Sequence, residues 1–311
     1  MSIFSNPFFY ASAGSSFTPT TKGIFAFGHV CCYANTNISR LVSSSGVISA
    51  DITGVGTAQR QRAACTYGGD KGIYCFGQEA SAVTTIINLV SNSGVVASDT
   101  AGTGTGTNGG ACTSYGVGKG IKAYGWANGS VNDSNLISDA GVVAASITLV
   151  GTPRWTLGGV AYGEDKGIFA YGSDQGSTRY NMSNLVSNVG VISSDVTGVG
   201  TARSAAGSCT YGTDKAICAY GSTGSYVSVS NLISNVGVVS TDVTGVGTAR
   251  ASPAGVGYGS DKGIFAFGDS GPGNYGNISN LVSNSGVIAT DGTGVGTGRS
   301  IIQQGAGYST A

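Results

Sequence analysis

Small and apolar residues fall into short runs that alternate with polar ones and are bounded by Gly, Asn and Asp, and no run keeps a helical period over a useful length. Residues 195–221, DVTGVGTARSAAGSCTYGTDKAICAYG, hold most of the pattern. A small, apolar strand A runs from Arg203 to Tyr211 and ends in the turn Tyr211-Gly212-Thr213-Asp214, whose Gly and Asp suit a tight hairpin. Strand B is GIFAFG in its fullest form. There Ile264 and Ala266 face one way and Phe265 and Phe267 the other, which predicts a strand buried on both sides in the middle of a sheet. Strand C is SNLVSN, as at Ser183 to Asn188 and Ser279 to Asn284. It reaches strand D through Asn188-Val189-Gly190 or Asn284-Ser285-Gly286, where Gly can take positive φ. Strand D, for example Val191 to Thr197, alternates apolar residues with Ser and Asp, as an outer strand with one wet face does. The expected class is all-β.

The lysine that opens strand B recurs at Lys22, Lys71, Lys119, Lys166, Lys215 and Lys262, and the glycine that closes it at Gly28, Gly77, Gly125, Gly172, Gly221 and Gly268. A period of 47 to 49 residues is that of propellers and solenoids, in which stacked units bury faces that no unit could bury alone. Four antiparallel strands per unit, with an arginine opening the next, predict a six-bladed β-propeller of four-stranded blades, a single domain over residues 1–311. A β-solenoid of the same period is the alternative. Both chain ends match strand A. Tyr10 to Phe17 aligns Ala13-Gly14-Ser15 on Ala206-Gly207-Ser208, and Arg299 to Tyr308 begins a seventh copy with no strand B behind it. A ring of six needs only one of them, so residues 299–311 are either the closing strand or a surplus strand packed elsewhere.

The residues GTAR, YGxDKGIFAFG and the outer SNLVSN hairpin resemble kelch-type repeats, whose second strand also ends in glycine. The double glycine and outer-strand tryptophan usual in kelch repeats are missing. Nearly identical copies of low charge, rich in Gly, Ser, Thr and Val, also look like repeat-built structural proteins of tailed bacteriophages with repeats of this YGxDKGIFxYG style. That resemblance implies a noncatalytic virion component, either a tail-fibre adhesin or a decoration protein, folded in the host cytoplasm. The partners it implies are other virion proteins and a host-surface glycan or protein; a second copy of the chain is a further candidate. A glycan-binding lectin propeller and an intracellular kelch-like adaptor or propeller enzyme are the other readings.

Charged residues make up 10% of the chain and the formal net charge is zero, which argues against a surface that neutralises nucleic-acid phosphates. No stretch has the length of a transmembrane helix, and the N-terminal MSIFSNPFFYASAGSS has neither a basic region nor a continuous apolar core, so cytosolic folding without membrane insertion is expected. Seven cysteines, most of them within strand patterns, predict free thiols, with Cys65, Cys112 and Cys209 on strand A and Cys75 and Cys218 on strand B.

His29, Cys31 and Cys32 crowd the start of one B–C loop, too close together to surround a zinc ion easily and without a second ligand pair, so no metal is expected. The recurring acids Asp51, Asp99, Asp195, Asp242 and Asp291 on strand D, and Asp70, Asp165, Asp214 and Asp261 in the A–B turn, are spread one per blade. They read as turn formers or structural partners of Arg and Lys, not as a paired-carboxylate site. The GTGVG strings lack the helix and lysine of a phosphate loop, and a Ser-His-Asp site would rest on the one histidine. No catalytic residue and no cofactor are expected.

What varies between copies is the B–C loop: HVCCYANTNIS, QEASAVTTII, WANGSVNDS, SDQGSTRYNMS, STGSYVSVS and DSGPGNYGNIS. In a propeller these loops share a face with the D–A connections. The candidate binding residues are therefore Tyr33, Trp126, Arg179, Tyr180, Tyr226 and Tyr275 from the loops, with Arg154, Arg203, Arg250 and Arg299 as a ring of arginines among them.

Overall fold

A computed structural model of the chain describes residues 19–30, 34–175, 177–271, 273–300 and 303–309. Each blade is built on strand B, which spans Lys22–Ala26, Lys71–Glu79, Lys119–Trp126, Lys166–Ala170, Lys215–Ala219 and Lys262–Ala266. Both faces of this strand are buried, as the alternation predicts: Ile264, Phe265, Ala266 and Phe267 are all fully enclosed. On its inner side strand A pairs antiparallel, spanning Ala63–Tyr67, Ala111–Tyr115, Gly158–Tyr162, Gly207–Tyr211 and Ala254–Tyr258 in blades 2 to 6. On its outer side lies strand C, spanning Ser39–Val42, Ala82–Val90, Ser130–Ile137, Ser183–Val186, Ser230–Ile233 and Ser279–Val282.

The inner strand of blade 1 comes from the far end of the chain. Ala306–Tyr308 pairs with strand B of blade 1, Tyr308 opposite Lys22 and Ala306 opposite Ile24. The C-terminal segment is therefore not surplus but fills the vacant slot, while the competing N-terminal run Tyr10 to Phe17 lies outside the described residues. Backbone bonds between A–B turns then run through all six blades. Gly68 N–H donates to Gly118 O (2.7 Å), Gly116 to Asp165 O (2.8 Å), Gly163 to Asp214 O (2.7 Å) and Gly212 to Asp261 O (2.7 Å). Gly259 donates to Thr21 O (2.9 Å) and Ser309 to Asp70 O (3.0 Å), which returns the cycle to its start. The fold is a six-bladed propeller, and a solenoid with free ends is excluded.

Strand D is thinner than its alternation predicts. It is a two-residue strand in blades 2 and 3, Thr100–Ala101 and Ile147–Thr148, and elsewhere only isolated bridges such as Ser183 with Val196 and Val186 with Ile192. Side chains replace the missing ladder. Asn88, Asn135, Asn184, Asn231 and Asn280 on strand C each donate to a strand D carbonyl at 2.9–3.0 Å.

The strand D aspartates clasp the connection that enters their own blade. Asp99, Asp195, Asp242, Asp291 and Asp51 accept from the Oγ1 of Thr57, Thr152, Thr201, Thr248 and Thr297 at 2.5–2.7 Å, and from the same residues' backbone N–H. Burial alone would raise these carboxyls, but the bonds outweigh it and hold all five below the ordinary range, Asp51 down to about 2 with Arg40 beside it. The turn acids are structural as well, Asp70, Asp165, Asp214 and Asp261 each pairing with the following lysine at 2.7–3.2 Å. A carboxyl depressed by folding stabilises above its unfolded pKa of about 4 and loses that contribution as pH falls through the folded value. The melting temperature is thus expected to hold from pH 7 to about 5 and to drop steeply between about pH 4 and 2. Melts that coincide at pH 7 and pH 2.5 would show that the clasps contribute nothing.

Cys65, Cys75, Cys112, Cys209 and Cys218 are buried and free, and burial pushes the thiols of Cys112 and Cys209 well up and that of Cys218 up to about 12. These five are expected to ignore a thiol reagent at pH 8 until denaturant is added. Rapid labelling of any of them in the folded protein would mean that the blade gaps open readily.

Candidate binding face

Two positions in each blade meet at the mouth of the ring where the B–C loops emerge. One follows the closing glycine of strand B and holds His29, Gln78, Trp126, Ser173, Ser222 and Asp269 in blades 1 to 6. The other lies on the D–A connection and holds Ser300, Arg60, Asn108, Trp155, Ser204 and Ala251. Within each blade the two are joined by a backbone bridge. Just behind the second position, Gln61, Gly109, Thr156, Ala205 and Ser252 take left-handed φ of 50–59°. At the last four of these, that turn lets the N–H reach the preceding blade: Gly109 donates to Gln61 O (2.9 Å), Thr156 to Gly109 O (2.7 Å), Ala205 to Thr156 O (2.8 Å) and Ser252 to Ala205 O (2.8 Å). A hydrogen-bonded rim thus fixes the backbone that presents the side chains.

The side chains on this rim differ sharply around the ring. Blades 5 and 6 carry Ser204, Ser222 and Ala251, with Asp269 taking the hydroxyl of Tyr226 (3.0 Å). Burial first, then that bond to Asp269, pushes Tyr226 up to about 12. Blades 1 to 4 carry large groups around a basin of about 380 Å³. Its walls include the indoles of Trp126 and Trp155, with centroids 5.6 Å apart and planes inclined at 48°. Trp155 Nε1 donates to Asp174 O (3.1 Å), which fixes that ring. Asn108, Gln78, Gln61 and Gln175 supply amides, and Asn108 Nδ2 donates to Gln78 Oε1 (3.1 Å). Arg60 also lines the basin, but its guanidinium is held by Asn35 Oδ1 (3.3 Å) and Ala80 O (3.2 Å). His29 completes the wall, its ring edge-on to Tyr275 at 4.9 Å. Burial, then Arg60, lowers its pKa against the pull of Asp269, which keeps the imidazole neutral at pH 7.

The expected ring of surface arginines is not there. Arg154, Arg203, Arg250 and Arg299 are at most 1% exposed. Each lies over the aromatic ring that ends strand B of the preceding blade: Arg154 over Tyr124 (4.3 Å), Arg203 over Tyr171 (4.0 Å), Arg250 over Tyr220 (3.9 Å) and Arg299 over Phe267 (4.7 Å). Backbone carbonyls and strand C asparagines take many of their N–H groups, as where Arg250 donates to Phe267 O (2.8 Å), Thr248 O (3.1 Å) and Asn280 Oδ1 (2.7 Å). The guanidinium is planar and weakly hydrated, which suits it to a gap between blades better than lysine. Burial, and then the neighbouring Arg40, lowers Arg299 to about 9. The rings reach the gap because they adopt a conformation rare for bulky residues: Phe27, Phe76, Tyr124, Tyr171, Tyr220 and Phe267 all have φ of 54–67°. Such backbone costs about 1–3 kcal/mol at each site and persists where the surroundings enforce it.

The other expected residues do reach this face. Trp126, Arg179, Tyr180, Tyr226 and Tyr275 are half-buried there, Tyr180 with its hydroxyl 3.4 Å from Asp174 and Arg179 donating to Ser177 O (3.3 Å). Tyr33 lies outside the described residues. Of the described members of that set Trp126 lines the basin, and it is joined there by His29, Arg60, Gln61, Gln78, Asn108, Trp155 and Gln175, from positions not chosen as binding residues. The signal was present in the repeats. Behind a closing glycine that is the same in all six copies, the next residue changes chemistry from blade to blade, and so does the residue after the arginine, or after Gln59 and Thr107 in its place.

No family model matches the chain, and no curated protein matches it. Among solved structures it is similar to that of YjhT, with a TM-score of 0.62 and 11% identity over 86% of this chain and 95% of that one. At that identity the likeness is one of fold, an all-β, propeller-like arrangement of small antiparallel sheets.

Proposed function

We propose that the protein is a noncatalytic recognition propeller of a bacteriophage virion, which assembles with other virion proteins and meets a host-surface glycan or protein through its loop face. The observation that supports this most is the contrast between its two faces. The A–B and C–D turns repeat one chemistry: Val47, Val95, Val142, Val191, Val238 and Val287 are each 63–66% exposed, and Asn92, Asn235 and Asn284 pair with Asp70, Asp214 and Asp261. The loop face sets unlike side chains on equivalent, rigid backbone sites, which is how a fixed scaffold displays a specific surface at little ordering cost. The virion setting follows from the resemblance of the repeats to phage structural proteins. Mass spectrometry of purified particles should find the chain at a defined stoichiometry. Its recovery only from the soluble lysate, with particles free of it, would contradict the virion role.

A further inference from the structure

The basin over blades 1 to 4 combines flat apolar faces with neutral hydrogen-bonding groups. Trp126 and Trp155 offer half-buried indole surface, and the Trp155 ring is pinned by its bond to Asp174 O (3.1 Å) and by the close approach of Gly109, where an added Cβ would lie 3.0 Å from the indole. Asn108, only 4% exposed, gives its Nδ2 to Gln78, while its Oδ1 accepts no bond from the described residues. Gln61 and Gln175 add further amides. Among the described residues no Asp or Glu lines the basin, and Arg60 there gives N–H groups to Asn35 and Ala80.

We propose that this basin is a saccharide site, and that its ligand is a neutral glycan presenting about one or two pyranose rings, the size that a pocket of this volume encloses. This rests on the reading of the loop face as the recognition surface. The C–H face of a pyranose would stack on an indole, which supplies a large apolar contact from a rigid side chain. Its hydroxyls, each both donor and acceptor, match amides that offer both functions. Hydroxyls can pair with the half-buried amides of Gln61 and Gln78 and the exposed amide of Gln175, which take and give hydrogen bonds without asking for a charge, while Asn108 beneath them braces Gln78. The basin's position over four blades also explains why the repeat does not yield one like site per blade gap: the matching positions of blades 5 and 6 hold small side chains and a tyrosine-bound aspartate.

The chain's two tryptophans both line this basin, so intrinsic fluorescence reports on it directly. Full-length protein would be screened on an array of neutral, carboxylated and sulfated oligosaccharides, and the strongest printed glycan titrated against tryptophan emission. Binding of neutral glycans with a saturable emission change is expected. It should weaken about tenfold in Trp126→Ala and several-fold in Gln78→Ala, with melting temperatures near that of the parent. Binding confined to carboxylated or sulfated glycans would overturn the neutral class. If no glycan binds, yet adsorption to host cells or particles persists and is lost in Trp126→Ala, the saccharide inference fails and the loop-face reading stands. If Trp126→Ala and Gln78→Ala leave both glycan binding and adsorption intact, both fail.

Discussion

Removing residues 303–311 should lower the melting temperature by about 10 °C or more and turn a cooperative transition into early aggregation. The segment does three things at once. Ala306 and Tyr308, 0% and 3% exposed, fill the inner slot of blade 1 and pair with Lys22 to Ile24. Ser309 carries the bond to Asp70 that completes the cycle of A–B turns. Gln304 reaches across the central channel, its Oε1 accepting from Ala64 N–H (3.2 Å) and Cys112 N–H (2.8 Å) and its Nε2 donating to the carbonyls of Cys112 and Gly159. These are inner-strand edge groups of blades 2, 3 and 4. Losing a buried tyrosine, the paired strand and four side-chain bonds amounts to about 5 kcal/mol or more, and roughly 2–4 °C accompany each kcal/mol in a chain of a few hundred residues. The deletion also leaves strand B of blade 1 as an open edge, a template for intermolecular pairing. A deletion that melts like the parent would mean that the N-terminal run Tyr10 to Phe17, which matches the same slot, takes it over. Deleting both ends would then expose the full loss.

Arg203→Ala should cost about 3 kcal/mol, and Arg203→Lys should recover little of it. The guanidinium lies 4.0 Å from the Tyr171 centroid and donates to the carbonyls of Tyr220 (2.8 Å), Thr201 (3.2 Å) and Cys218 (3.3 Å). Truncation leaves buried acceptors unsatisfied, each costing about 1–3 kcal/mol before relaxation, and removes a stacked cation from a desolvated gap. A lysine can restore the charge but not the planar stack or the fork of donors. Adsorption measured well below the melting transition should be unchanged, because Arg203 has no surface to offer. A variant that melts normally yet no longer binds would return the arginines to the recognition face.

The architecture was legible because it is periodic. Six lysines and six glycines at one spacing predicted six blades, and alternation within GIFAFG predicted a strand B buried on both sides. Strand D misled because its Ser and Asp look like the wet face of a strand, whereas the Asn side chains of strand C satisfy its carbonyls and free it from a regular ladder. The arginines misled for a different reason. Their partner rings belong to the preceding blade and reach the gap only through a left-handed residue that no propensity scale would assign to Phe or Tyr.

A clue was nevertheless present in the copies that break the rule. Blades 2 and 3 carry Gln59 and Thr107 where the others have arginine, and each supplies a cation from elsewhere, Arg62 over Phe27 at 4.2 Å and Lys122 over Phe76 at 5.3 Å. A charge that is relocated whenever it is lost is serving the scaffold, not a partner. The basin stayed hidden because its walls come from four blades, and only the closed ring brings His29 near Trp155.

The central claim, that recognition resides on the loop face, is tested most directly by measuring adsorption to host cells or particles for two matched sets of alanine variants. Trp126→Ala, Tyr180→Ala and Tyr275→Ala should each weaken binding by roughly 1 kcal/mol or more, about fivefold, with little change in melting temperature. Asp214→Ala and Asn235→Ala, whose side chains bond each other at 2.9 Å on the opposite face, should lower stability and leave binding intact. The reverse pattern, binding lost with the turn pair and kept with the aromatic set, would make the repeated face the docking surface and contradict the account.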